Sequence, residues 1–425
     1  MKVPTLSNEP VPTRATGSPT DTGTATDTAT EPDNAIEPDS GLVARAAALR
    51  PLIRERAEEG SREGRVVPDV IRALEEQGLL RLTVPHRYGG HGADSRTLVD
   101  VLAGLARGDG STAWTAMLLN IGNWFATTWP VRVQDEIWGD TPDARCCAIL
   151  APSSTARKAD GGCLVSGRWP YASGSFAATH AITGFLVPQD DGSSRAAVGL
   201  FHPGQWSIER SWFPVGMRGT GSDTVVIDEV FVPDHRIQYF DDLVAGDYAT
   251  ELRDTDVRSR APFLPTGTVI FGAIQVGLGR AALDLAVERL RSKGVVGSVY
   301  TRARDSPVHQ TAVAEALSKI DAAELLVHRS CRDIDESAAT GVYPDELARA
   351  RVRNDTGTVV TLVHEAVDRL LKAAGSGSFL ETSPLSRIFQ DVGMAGSHVH
   401  ATPAIAAEVY GRLLLGADGG LTVQV

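Results

Sequence analysis

The apolar residues of this chain change their spacing twice along its length, and that change limits the folds open to it. From Gly41 they recur at helical intervals, between about Cys146 and Val232 they gather in short runs punctuated by Gly, Ser and Pro, and after Pro265 the helical interval returns. A helical segment, a β segment and a second helical segment follow one another, which predicts an α+β architecture with helices and sheet segregated. The expected divisions are a tail over 1–40, an N-terminal helical domain over 41–145, a middle antiparallel β domain, sandwich- or barrel-like, over 146–245, and a C-terminal four-helix bundle over 246–425.

Local signals fill in this outline. Residues 1–40 are rich in Thr, Pro, Asp and Glu and contain no aromatic residue, so they predict a flexible tail that buries too little apolar surface to offset its ordering entropy. Leu42, Leu49 and Ile53 suit an amphipathic helix, and Pro68 opens another that runs through Ile71 and Leu74 to a stop at Gly78. Ser95 is read as the cap of a helix carrying Leu98, Val99, Leu102 and Leu105, and Ser111 as the cap of one carrying Trp114, Met117, Ile121 and Phe125. Strands are expected at Ala181–Val187, Ala196–Phe201 and Val225–Val232, and later helices at Val269–Leu290, Thr311–His328, Glu346–Lys372 and Ala404–Leu415, the last behind Thr402 and Pro403.

Charge and composition remove several classes of function. Lys plus Arg number 41 against 53 Asp plus Glu, and a net charge of −12 opposes a broad phosphate-backbone contact, so no nucleic-acid partner is expected. Cys146, Cys147, Cys163 and Cys331 form no C-x-x-C spacing, which predicts free thiols in a reducing compartment and no structural zinc. The sequence reads as having no signal peptide and no apolar run long enough to span a bilayer, which predicts a cytoplasmic protein with no membrane partner. His364-Glu365 lacks a second histidine at Asp368, and Gly277-x-Gly279 lies inside a helical period with no strand before it, so neither a zinc peptidase nor a dinucleotide fingerprint is read.

Four stretches retain chemical interest. Gly167 to Gly174 reads as a strand ending in a small turn; Pro170 explains it as a broken edge, while Tyr171 and Ser173 offer a planar ligand an aromatic face and a hydroxyl. Gly216-Met217-Arg218-Gly219-Thr220-Gly221-Ser222 reads as a turn before a strand. Gly375-Ser376-Gly377-Ser378 closes a long helix and leaves room for a ligand to approach the backbone. His398-Val399-His400 is expected to be extended, with both imidazoles on one side, as a proton donor or a substrate contact; no metal ligand set accompanies it.

Together with Leu385-Ser386-Arg387-Ile388-Phe389-Gln390-Asp391 and the helix–sheet–helix order, these stretches resemble the acyl-CoA dehydrogenase superfamily. Within it, residues 41 to 415 look most like the oxygenase component of two-component flavin-dependent monooxygenases. The resemblance implies that Tyr171 and Ser173 pack on the isoalloxazine ring with the Ser173 hydroxyl toward N5. It implies that Gly375, Ser376 and Gly377 touch the flavin of a neighbouring subunit, that His398 stands near C4a, that His400 lies on the substrate side and that Trp114 lines the pocket. Reduced flavin from a separate NAD(P)H:flavin reductase, O2, a C4a-hydroperoxide and a homotetramer follow from the same resemblance.

Departures from the superfamily pattern narrow the expectation. Val409-Tyr410-Gly411-Arg412 lacks the glutamate base of the dehydrogenases, and the Arg-x-x-Phe-Gly grip on the FAD pyrophosphate is missing around Arg302 to Gln310. A loosely held, exchangeable flavin is expected, FMN more readily than FAD. Gly122 stands where phenol hydroxylases of the family often carry a histidine, which turns the substrate expectation from a simple phenol toward an aromatic polyketide-type metabolite, as in antibiotic biosynthesis, or an amino sugar that is N-oxidised. The alternatives are an acyl-CoA dehydrogenase-type flavin dehydrogenase and a catalytically silent interaction protein on the same scaffold.

Overall fold

The computed structural model describes residues 38–417 and 420–422. The expected tail falls on residues outside that range up to 37, and the first described helix already begins at Ser40. The leading helical segment holds α1 (Ser40–Glu63), α2 (Pro68–Glu76), α3 (Ser95–Ala106), α4 (Gly110–Ala126) and α5 (Val131–Trp138). Both expected serine caps are displaced. Asp94 caps α3 by accepting from the Thr97 amide, and Asp109 caps α4 by accepting from the Thr112 amide. A carboxylate is a stronger acceptor for orphan helix amides and is favoured by the helix dipole, so Ser95 and Ser111 fall inside the first turn. Every residue of α4 except Leu118 is buried, which makes it the central helix of this segment.

The middle of the chain forms β1 (Cys146–Thr155), β2 (Arg157–Ala159), β3 (Gly162–Trp169), β4 (His180–Pro188), β5 (Ser194–Phe201), β6 (Ser207–Glu209), β7 (Thr224–Pro233) and β8 (Ile237–Tyr239). They make two four-stranded sheets of order β1-β4-β5-β8 and β2-β3-β7-β6. The pairings are antiparallel apart from β1 with β4, which is parallel. The chain leaves β1 for β2 and β3 in the other sheet and re-enters at the end where β1 began, a crossover that imposes the parallel sense. Trp169, Phe185, Phe201, Val165 and Val232 fill the space between the sheets.

The closing segment holds α6 (Phe240–Ala245), α7 (Phe263–Ser292), α8 (Pro307–Thr340), α9 (Glu346–Ala374), α10 (Pro384–Ala395) and α11 (Pro403–Leu414). α7, α8 and α9 pack on one another, and α10 and α11 lie against α9. Helix α10 carries the Leu385–Asp391 stretch. Pro403 opens α11 as expected, but the Thr402 hydroxyl donates back to the His398 carbonyl at 3.1 Å instead of capping an amide.

One apolar core runs through both helical segments, from Leu98, Leu105 and Trp124 to Ile274, Val363 and Leu371. The crossing of α3 and α7 explains Gly277: a Cβ there would stand 2.4 Å from the Ala103 carbonyl oxygen. That crossing also revises the membrane expectation. By length and composition α7 is apolar enough to cross a bilayer, yet most of its surface is buried against protein. The four cysteines are free and buried.

Candidate active site

Strand β3 ends at Trp169 because Pro170 has no N–H for the ladder. Tyr171 then takes φ 65°, costly for a residue with a side chain, and its ring stands 67% exposed with its edge toward Trp212, centroids 5.9 Å apart. Ser173 faces the other way and is buried. Its oxygen accepts from the Trp114 indole N–H at 3.1 Å and lies 2.6 Å from the Ser222 hydroxyl. Ser222 lies 2.7 Å from the Thr220 hydroxyl, which donates to the Met217 carbonyl at 2.9 Å. The glycine-rich segment read as a plain turn thus supplies two hydroxyls to the site.

Trp114 joins this polar chain to a cluster of rings. Its ring centroid lies 5.3 Å from that of Phe271 on α7 and 5.8 Å from that of His398. Phe271 stacks on His398 at 4.2 Å and 24°, and lies 6.2 Å from His400 at 17°. The 398–400 segment is a turn and not extended, because the Ala401 amide closes on the His398 carbonyl and the His400 amide donates to His398 Nδ1. The imidazoles still end on one side, 5.6 Å apart.

Removal from water pushes the His398 pKa down to about 4. Burial, and then the nearby His398 and Arg353, push His400 to about 3. Both are neutral at physiological pH. With Nδ1 of His398 accepting a backbone N–H, its proton resides on Nε2. Nδ1 of His400 is buried and has no hydrogen-bond partner among the described residues.

Behind the glycine-rich segment lies a pair of buried carboxylates. Asp391 on α10 accepts from the Met217 amide at 2.5 Å and lines a small cleft with Asp109, Arg387, Arg54 and Arg107. Burial, reinforced by Asp109, raises the Asp391 pKa to about 7, against the pull of the Met217 amide and Arg387. Burial likewise raises that of Asp109.

Of the residues expected from the sequence, Trp114, Ser173, His398 and His400 converge, and Tyr171 stands at their rim. Gly375, Ser376 and Gly377 do not join them. They follow α9 beside Arg289, which donates to the Ala374 carbonyl at 3.0 Å, and Arg289 is roughly 27 Å along α7 from Phe271 at about 1.5 Å per residue. Gly122 has a packing reason of its own: a Cβ there would lie 2.1 Å from the Cys146 carbonyl oxygen, so helix–strand packing demands glycine whatever the substrate. Phe271, Thr220, Ser222 and Asp391 were missed as site residues. Phe271 sits in a run of glycines and aliphatics with no distinguishing spacing, and the hydroxyls gain meaning only once Ser173 is beside them.

A hydroxyl beside an exposed aromatic rim, a buried indole and an unpartnered imidazole nitrogen fit a planar redox ring with a substrate next to it. Comparison with known proteins agrees. The acyl-CoA dehydrogenase N-terminal domain family matches residues 44–130 and the acyl-CoA dehydrogenase C-terminal domain family matches residues 269–403, which defines the class of fold. The flavin-dependent monooxygenase oxygenase subunit HsaA of Rhodococcus jostii is 31% identical over 86% of this chain and 96% of its own length. An FADH(2)-dependent resorcinol hydroxylase oxygenase component of Rhizobium sp. is 30% identical over 89% and 94%. The structure of XiaF from Streptomyces sp., in complex with FADH2 and glycerol, superposes with a TM-score of 0.85 at 31% identity, covering 90% of this chain and 96% of XiaF. The chain belongs to the oxygenase components of the flavin-dependent monooxygenases, enzymes that work with reduced flavin and O2.

Proposed function

We propose that this chain hydroxylates an aromatic small molecule, with flavin reduced by a separate NAD(P)H:flavin reductase. The stack of Phe271 on neutral His398, in contact with Trp114 and through it with Ser173, carries this reading. Bound reduced flavin supplies O2 activation, one oxygen atom entering the substrate and the other leaving as water. Ser173 would hold the flavin through its hydroxyl, at N5 of the bound ring. His398 holds its proton at Nε2 beside the reacting centre, and the unpartnered Nδ1 of His400 orients the substrate. The ring cluster excludes water, which protects a reactive oxygen species from wasteful loss.

No carboxylate is among the ring-cluster residues, which disfavours a dehydrogenase that removes a proton with a glutamate. Similarity to a nitrososynthase of Micromonospora carbonacea is at 23% identity and carries the fold alone, so aromatic hydroxylation is preferred over N-oxidation of an amino sugar. FAD is to be tested beside FMN, since the 30% identical hydroxylase is FADH(2)-dependent and XiaF was solved with FADH2. An aromatic polyketide-type substrate of antibiotic biosynthesis and a cytoplasmic location belong to the same proposal.

The proposal includes a homotetramer. The distance between the Gly375–Gly377 turn and the ring cluster suits a turn that reaches the flavin of a neighbouring subunit. Exposed Phe379 and Leu380 beside that turn, and Phe213 and Val215 near Trp212, are apolar surfaces suited to subunit contact.

The test is stopped-flow absorbance after mixing protein and reduced flavin with oxygenated buffer. The wild type is expected to give a transient band distinct from oxidised flavin, and His398→Ala to lose about 10²-fold in coupled product formation. Immediate oxidation of free flavin by the wild type, or unchanged coupling in His398→Ala, would overturn the assignment.

A further inference from the structure

The hydrogen-bonded chain behind Ser173 has a direction. Its far end is the Met217 carbonyl, which can only accept, and which takes the Thr220 hydroxyl at 2.9 Å, the Trp212 indole N–H at 3.0 Å and the Thr220 amide at 3.3 Å. Thr220 spends its one proton there, so in the 2.7 Å contact with Ser222 it accepts and Ser222 donates. Ser222 has then spent its proton, so in the 2.6 Å contact with Ser173 it accepts and Ser173 donates. At the near end the Trp114 indole, a donor only, fills one lone pair of the Ser173 oxygen at 3.1 Å. Each proton therefore points away from the ring cluster, and the Ser173 oxygen keeps one lone pair with no proton to offer.

The carbonyl that sets this direction is itself held in place. Met217 is buried at φ 53°, a strained conformation for a side-chain-bearing residue, and its amide is fixed by Asp391 at 2.5 Å. A second tie joins the same loop to the helix of Trp114, the Gly219 amide donating to Ser111 Oγ at 3.1 Å. The loop at the far end of the chain is thereby anchored to both α4 and α10.

We infer that Thr220, Ser222 and Asp391 are positioning residues that fix the Ser173 hydroxyl as an acceptor, so that the site favours a flavin bearing hydrogen at N5 over one whose N5 is a bare acceptor. The inference rests on the placement of Ser173 at N5 proposed above. A reduced flavin donates its N5–H to the waiting lone pair. An oxidised flavin meets two acceptors face to face unless the whole chain reverses, and reversal costs the Thr220 hydroxyl its bond to the Met217 carbonyl, which has no proton to give in return. The site thus binds the form a reductase delivers and releases the spent one.

The experiment measures dissociation constants for oxidised and for reduced flavin under anaerobic conditions, and from their ratio the shift in potential of bound flavin. Thr220→Val keeps the shape but leaves Ser222 free to turn its proton toward Ser173. The oxidised-to-reduced ratio of constants is expected to fall about tenfold, about 30 mV for a two-electron couple. Ser222→Ala cuts the chain one link nearer and is expected to give a shift of the same sign. Asp391→Asn keeps an acceptor for the Met217 amide and is expected to retain the wild-type ratio, whereas Asp391→Leu loses it. A wild-type ratio in Thr220→Val and Ser222→Ala, with Ser173→Ala shifted, overturns the inference and leaves Ser173 at N5. A wild-type ratio in all three removes Ser173 from N5 as well.

Discussion

The two walls of the candidate active site are built on opposite terms. On the sheet side a file of hydroxyls runs from Ser173 to the Met217 carbonyl, a group that can only accept. On the helix side Phe271, His398 and His400 meet ring against ring, and a buried nitrogen of His400 has no partner among the described residues. A saturated hydrogen-bond chain tolerates one partner geometry, whereas stacked rings accept any flat molecule of suitable size. Such a division lets one wall answer to the cofactor and the other to the substrate.

The strongest way to break the contrast is to hollow out the helix wall. Phe271→Ala removes a buried ring that touches Trp114, His398 and His400, and is expected to cost about 3–5 kcal/mol, read as a lower midpoint in denaturant. Retained stability would mean the rings are not mutually supporting. Acid is the second probe. Both histidines titrate below their ordinary ~6.5 when folded, so the stability they contribute is present above about pH 6.5 and lost as pH falls toward 4 and 3. Wild type minus His398→Phe/His400→Phe should show that loss as a difference in Tm across pH 6.5 to 4, and a flat difference would show the rings to be hydrated. The smallest effect falls on the sheet wall. Ser173→Ala leaves the Trp114 N–H without its acceptor and is expected to cost about 1 kcal/mol of stability, with flavin affinity reduced.

The helix–sheet–helix order was legible because periodicity reports which face of each element is buried, and long helices such as α7 and α9 repeat that signal many times. Caps were legible to within a residue or two, since Asp94 and Asp109 compete with Ser95 and Ser111 for the same amides. The parallel β1–β4 pair was not, because pairing partners are set by a crossover that no local stretch encodes. In the site, Ser173, His398 and Trp114 could be named from motifs and resemblance. Phe271 and Asp391 act through contacts made across the core, with α7 and α10 meeting elements hundreds of residues away in the chain, and nothing in their own neighbourhood marks them. The packing role of Gly122 was hidden for a similar reason: its smallness answers to the Cys146 backbone, which the local sequence does not show.

The core shared by the first and last helical segments also has a consequence in time. During synthesis the apolar face of α3 emerges well before α7, and at about 5–20 residues per second the wait is roughly 10–30 s. Through that interval the nascent N-terminal helices present the surface that Gly277 will later press against, and a ribosome stalled within the sheets would leave it uncovered. Shielding of that face while the sheets are being made therefore bears on the yield of folded enzyme.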